Sequence, residues 1–162
     1  MAEPNIRVVF DTSVLVSFAG RPTSRFATWE SLLSGEISAF TSELGIVELR
    51  DVLNRSELRK HYGAALDPLN IERFISRFRS LAKVISEPPQ HFILRTDPKD
   101  SLFVNLAIET RAGFLTTFDA AHLLPLREVV HPQHQELKRL APQLALVKPA
   151  ELAAEIEKMR GG

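Results

Sequence analysis

The chain has 162 residues, 44% hydrophobic and 25% charged, enough for one compact domain with a sizeable core. Twenty basic and twenty acidic side chains cancel, so the protein lacks the broadly cationic balance of a non-specific nucleic-acid binder, and any such contact needs a local patch. The absence of cysteine excludes disulfides, thiolate zinc sites and cysteine nucleophiles, and leaves oxygen or imidazole as the only ligands for a metal.

Ile6-Arg-Val-Val-Phe10 is a short β-branched, apolar run that stops at Asp11-Thr-Ser, and Val14 to Phe18 resumes with residues that open a helix. Ser24 to Leu33 has helical apolar spacing through Phe26, Trp29, Leu32 and Leu33, with Gly35 as a stop before a strand at Ile37 to Phe40. Ser42 to Leu53 predicts a helix with Thr41 or Ser42 as its cap and a stripe of Ile46, Leu49, Val52 and Leu53, with Glu48 on the margin of that stripe. Two more helices are expected over Ser56 to Tyr62 and Asp67 to Lys83, the second with Pro68 at its first position. Arg50 to Lys83 carries a weak positive bias that reads equally as a solvated face.

Val84 to Glu87 predicts a third strand, Phe92 to Leu94 an edge segment, and Lys99 to Arg111 a helix opened by Asp97-Pro98 and ended by Gly113. Phe114 to Phe118 predicts a further strand, which again stops at an aspartate, Asp119. A helix from about Gln133 to Leu140, a strand at Leu144 to Val147 and a helix from Pro149 to about Met159 complete the pattern. Strands alternating with helices imply a single domain over residues 1–162, a three-layer α/β/α sandwich with a central, mainly parallel sheet of about five strands. Sites in such sheets form beyond the carboxyl ends of the strands. No apolar run approaches the roughly 20 residues of a membrane span, and the start, Met1-Ala-Glu-Pro-Asn5, lacks the regions of a signal peptide. A cytoplasmic protein without a membrane partner is expected.

Asp11 and Asp119 each follow an apolar strand directly, so both carboxylates are expected at the carboxyl edge of the sheet. Each also reads as a cap for the turn or helix that follows. Asp100 heads a helical face continued by Phe103, Val104 and Ala107, which aims its carboxylate inward. Asp97-Pro98-Lys99-Asp100 reads alternatively as an N-cap, proline at N1 and acid at N3, a capping arrangement worth about 1 kcal/mol. Brought together, Asp11, Glu48, Asp100 and Asp119 would repel and raise one another's pKa values unless a cation neutralised them. Oxygen ligands with no cysteine and no histidine cluster favour Mg²⁺ or Mn²⁺ over Zn²⁺. The matching chemistry is attack of a metal-activated water on a phosphodiester.

Val8-Val-Phe-Asp11-Thr-Ser-Val-Leu-Val16, Thr41-Ser42 leading to Val47-Glu48 and Leu53-Asn-Arg55, Asp97-Pro-Lys-Asp100-Ser-Leu-Phe103, and Phe114-Leu-Thr-Thr-Phe-Asp119 together resemble the successive motifs of PIN-domain ribonucleases. The resemblance is strongest to the toxin components of toxin–antitoxin operons and extends through Leu146 to Leu152. It implies a single-strand-preferring, metal-dependent endoribonuclease acting on RNA and held inactive by a cognate antitoxin. In that pattern Asp11, Glu48, Asp100 and Asp119 match the catalytic metal-binding acids. Asp97 matches an acidic position beside the third, and Thr12, Ser13 and Thr117 match polar positions that hold waters or orient carboxylates.

The chain also departs from the family pattern. Ser13 replaces the usual asparagine, Phe118 the usual glycine, and Ala120-Ala121-His122 a stretch that often carries a further acid; the segment His131 to Pro142 is longer than usual. These departures imply a narrowed approach to Asp119 and a weaker second metal. They favour, as the alternative, a catalytically impaired PIN fold that binds RNA or protein. An aspartate-based phosphotransfer enzyme is disfavoured, because Asp11-Thr-Ser13 lacks an acid two residues on and no phosphate-cradling glycine loop is present. His131 and His134 are spaced for a metal but are interrupted by Pro132, which favours a loop or capping role, and His122 is expected near the surface. Trp29 fits a core position. Leu44, Leu58 and the apolar faces between Leu53 and Leu81 read as core, or as cover for an antitoxin segment or a second protomer in a homodimer.

Overall fold

The computed structural model describes residues 6–161, so the amino-terminal segment 1–5 lies outside them. A parallel sheet of five strands runs through the middle. Its strands are β1 (Ile6–Phe10), β2 (Ile37–Ser42), β3 (Lys83–Ile85), β4 (Phe114–Thr116) and β5 (Ala145–Val147), in the spatial order β3-β2-β1-β4-β5. The helices are α1 (Thr12–Gly20), α2 (Ala27–Leu33), α3 (Glu43–Leu53), α4 (Ser56–Tyr62), α5 (Pro68–Leu81), α6 (Ser101–Thr110), α7 (His134–Leu140) and α8 (Pro149–Gly161). The doubly wound α/β/α sandwich read from the alternation of strands and helices is therefore the observed architecture. None of the described helices is long and apolar enough to cross a membrane.

Strand alternation divides the core in two. Val8 and Phe10, with Ile37 and Ala39, pack under α1, α2, α3, α5 and α8, whereas Val9, Phe40, Leu115 and Leu146 pack under α6 and α7. Trp29 is part of the first layer, stacked on Phe74 with ring centroids 5.3 Å apart. The chain moves outward from β1 through β2 to β3, then crosses to β4 and moves outward again to β5. β1 and β4 are thus neighbours whose connections leave in opposite directions, which opens a crevice at their carboxyl ends.

Several elements differ from their predicted spans, each for a physical reason. β4 ends at Thr116: Thr117 N–H still bonds to Val147 C=O of β5, but Phe118 N–H turns to the Ser13 hydroxyl instead of a strand. Asp67 precedes α5 but does not cap it through its side chain, because its carboxylate pairs with Arg59. The helix expected from Lys99 begins at Ser101, after a 3₁₀ turn over Pro98–Asp100, and neither Asp97 nor Asp100 makes a side-chain capping bond. The capping alternative for those two acids is thereby set aside.

Phe92 to Leu94 is not an edge strand, although Phe92 and Leu94 are fully buried. A buried backbone outside a ladder needs other partners. The Asn105 carboxamide accepts from Phe92 N–H at 2.9 Å and donates to Phe92 C=O at 2.9 Å. The Ser101 hydroxyl accepts from Leu94 N–H, and Gln133 bonds to Ile93 C=O and Arg95 N–H. The Asn105→Ala variant therefore strands both polar groups of Phe92. Urea denaturation is expected to show a loss of about 1–3 kcal/mol per stranded group with the fold otherwise retained.

Candidate metal centre

Asp11 sits immediately after β1 and is the N-cap of α1, where its Oδ1 accepts from Val14 N–H at 3.2 Å. The same oxygen accepts from the Ser13 hydroxyl at 2.6 Å, and Oδ2 accepts from the Thr117 hydroxyl. Asp11 is only 4% exposed. Of about four acceptor positions on a carboxylate, these bonds occupy three and leave one on Oδ2. Burial raises the Asp11 pKa, and the nearby Asp119 charge adds to this; the bonds from Ser13, Thr117 and Val14 act in the opposite direction.

Two hydroxyls knit the neighbouring strand ends together. Ser13 donates to Asp11 and accepts from Phe118 N–H at 3.1 Å; Thr117 donates to Asp11 and accepts from Asp119 N–H at 2.9 Å. Asp119 then closes its own turn, with Oδ1 accepting from Ala121 and His122 N–H at 3.0 Å each, while Oδ2 takes no bond from a backbone amide. The local-cap reading of Asp11 and Asp119 is realised, and Asp11 keeps an acceptor position on Oδ2 beyond those bonds.

Glu48 is placed by α3, whose N-cap Ser42 accepts from Gly45 N–H at 3.2 Å. Gly45 is needed there, since a Cβ would lie 2.7 Å from Thr41 Oγ1. The Glu48 Oε2 accepts from the Thr12 hydroxyl at 2.6 Å, which ties α3 to the first turn of α1. Asp97 and Asp100 arrive from the turn before α6.

These side chains line one cleft of about 500 Å³, with Asp11, Glu48, Asp97, Asp100 and Asp119 around it and Val16 and Phe103 in its wall. Within it, Asp97, Asp100 and Asp119 offer oxygens that all lie within 4.8 Å of one another. That spacing matches oxygens bound to one hard cation, which sit about 2.0–2.6 Å from the ion. Asp11 and Glu48 line the same cleft beside the amino end of α1, whose dipole is favourable to negative charge. Thr12 and Ser13 line the cleft as well, whereas Thr117 is wholly buried behind Asp11.

The electrostatics fit a cation. Burial, contact with the Asp119 carboxyl and the charges of Asp97, Asp119 and Asp11 push the Asp100 pKa up to about 8. A proton shared between Asp100 and Asp119 relieves the repulsion that a divalent ion relieves more fully.

The PIN domain family model matches residues 7–121, which contain all five of these acids. The chain belongs to the PIN domain family. Nuclease activity supported by divalent metals is the general property that this membership carries, and the carboxylates of this PIN domain supply a donor set suited to such ions. The chain is also similar to the crystal structure of PAE2754 from Pyrobaculum aerophilum. The two are 16% identical with a TM-score of 0.49, over 96% of this chain and 99% of that one. None of the curated proteins matches this chain.

Arg55 and Lys99 also line the cleft of this PIN domain, although neither was among the expected site residues. Their sequence signals were available: Arg55 lies seven residues after Glu48, on the face that also carries Val52, and Lys99 stands between Asp97 and Asp100. Asp97 is also more central than its expected supporting place, being one of the three closely spaced acids. His131 and His134 do not face each other across a metal site. His131 Nδ1 accepts from Gln133 N–H at 2.9 Å, and His134 Nδ1 donates to Leu126 C=O at 2.8 Å. His122 is half-buried, and its Nδ1 has no hydrogen-bond partner among the described residues.

The raised Asp100 pKa has a definite sign. From about pH 5 to about pH 8 the native state retains a proton that the unfolded chain has released, so stability without metal falls as pH rises across that window. Thermal melts at several pH values should show this decline, together with a Tm increase on adding Mn²⁺ that grows with pH. The Asp100→Asn variant should flatten both dependences, and an unchanged pH profile in that variant would contradict the assignment.

Proposed function

We propose that this PIN domain is a Mg²⁺- or Mn²⁺-dependent endoribonuclease that hydrolyses RNA phosphodiester bonds in the cytoplasm, and that it is the toxin component of a toxin–antitoxin pair. The observation that carries the nuclease reading is the convergence of Asp11, Glu48, Asp97, Asp100 and Asp119 from separate elements on one cleft. Asp97, Asp100 and Asp119 hold the ion. Asp11, kept in place by Ser13 and Thr117, and Glu48, kept in place by Thr12, complete the acidic lining beside it. A divalent ion held there would lower the pKa of a water and offset charge on the phosphate oxygens.

The toxin assignment rests on the family resemblance of the motifs and on exposed apolar side chains available to an inhibitory partner. Leu44 and Val47, one turn apart on α3, are 55% and 56% exposed. Leu58 is partly buried at the cleft, whereas Leu53, Leu66, Ile71, Ile75 and Phe78 belong to the core and are not free for a partner. A homodimer would compete for the same surface.

The alternative is a PIN fold that binds RNA or protein without turnover. It is favoured by the stretch Ala120-Ala121-His122, which contributes no carboxylate to the cleft, and by Phe118, which is 48% exposed beside Asp119.

Incubation of RNAs with the protein and Mn²⁺ separates the two readings. The wild type should cleave, and Asp11→Asn and Asp119→Asn should each lose at least about 100-fold, beyond the 10–100-fold typical of lost supporting contacts. Equal cleavage by all three would remove the nuclease assignment, and metal-independent binding without cleavage would support the alternative. Thr117→Val, which removes only the hydroxyl behind Asp11, is expected to lower the rate or metal affinity about 10–100-fold. For the toxin role, the product of an adjacent gene should suppress cleavage when mixed with the protein.

A further inference from the structure

The acid cleft continues past its carboxylates. Lys99 lines it and also lines a second hollow of about 240 Å³, formed with Pro88, Gln90, Pro98, Ser101, Leu102 and Asn105. Lys99 therefore borders two spaces that differ in charge. The first is dominated by acids, and no carboxylate lines the second.

Lys99 is exposed and forms no ion pair among the described residues. That distinguishes it from much of the nearby cationic surface. Arg50, Arg59 and Arg79 are committed to Glu72, Asp67 and Glu43, and Arg55 lies 3.6 Å from Asp51. The wall of the second hollow is also fixed in advance. Asn105 spends both ends of its carboxamide on the Phe92 backbone, Ser101 holds Leu94 N–H, and Pro88 and Pro98 restrict the backbone on either side. A pre-formed, carboxylate-free groove with a free ammonium at its entrance is suited to an anionic chain leaving the acid site.

Resting on the nuclease reading, we propose that single-stranded nucleic acid runs continuously through both hollows, with Lys99 gripping a backbone phosphate adjacent to the one seated at the carboxylates. Lys99 is a positioning residue in this arrangement. Its ammonium offsets the repulsion between the acid cleft and the incoming strand, and it sets the direction in which the strand departs. Gln90 and the apolar surfaces of Pro88 and Leu102 meet the sugars and bases beyond it.

The test measures binding of fluorescent single-stranded RNA and DNA oligonucleotides, from about 4 to about 16 nucleotides, to the full chain in Ca²⁺. Affinity should rise with length until both hollows are filled and then level off. Lys99→Ala should weaken binding about 3- to 10-fold and reduce the salt dependence of log Kd by about 0.7. Lys99→Arg should restore both. Lys138→Ala, a change of equal charge on α7, should alter neither. Calorimetric Mn²⁺ affinity without nucleic acid should be unchanged or tighter in Lys99→Ala, because a neighbouring positive charge has been removed.

Wild-type binding with unchanged affinity and salt slope in Lys99→Ala overturns the proposal. So does a parallel loss in Lys138→Ala, weaker Mn²⁺ binding in Lys99→Ala, or tighter binding of duplex than of single strands. If Asp119→Asn still abolishes cleavage, the nuclease reading survives that failure. Absence of both binding and cleavage in the wild type removes both.

Discussion

Carboxylates gathered within a few ångströms repel one another, and much of the local structure around the crevice between β1 and β4 is organised to hold them there. Burial raises the Asp11 pKa, and two hydroxyls and an amide direct hydrogen bonds at it that act against that shift. Asp100 receives no comparable support and faces Asp97, Asp119 and Asp11, so its proton persists to about pH 8. Asp11 and Asp119 are thus buttressed by local donors, whereas the charge on Asp100 is relieved by a proton or, in its place, a cation.

The buttressing is economical in atoms. Ser13 and Thr117 each donate to Asp11 and each accept a backbone N–H from the segment that follows β4. One pair of hydroxyls therefore fixes the acid of one strand and the chain path of its neighbour. β4 stops beside them, where Phe118 N–H turns from the sheet to the Ser13 hydroxyl. Ser13 performs this function with a single oxygen acting as donor and acceptor.

Away from the cleft, opposite charges largely satisfy one another. The positive bias of Arg50 to Lys83 is broken up by the ion pairs of Arg50, Arg55, Arg59 and Arg79, and α8 is tied by Arg160 to Glu36, with Glu157 of the same helix sharing that guanidinium. These exposed pairs contribute little stability individually. Their larger effect is to prevent a diffuse positive field, which leaves Arg55 and Lys99 as the cations that line the cleft. The balance of twenty basic and twenty acidic residues is consistent with such local guidance.

Strand and helix periodicity in the sequence determined the alternating α/β order, and with it the parallel sheet and the emergence of Asp11 and Asp119 at strand ends. Hydrophobic patterning carries that information because it is local: Val8 and Val9 must face opposite layers wherever the strand lies. The inward aim of Asp100 was legible from Phe103, Val104 and Ala107 for the same reason. Several site details were not local. The buried path of Phe92 to Leu94 depends on Asn105, Ser101 and Gln133, and the end of β4 depends on Ser13. Asp97 and Asp100 also read as helix caps, but the fold brings Asp119 beside them, where burial first and then contact with Asp119 and the neighbouring charges raise the Asp100 pKa. Tertiary structure decided which charges became neighbours, because Coulomb energy depends on separation in space and sequence pattern records only separation along the chain.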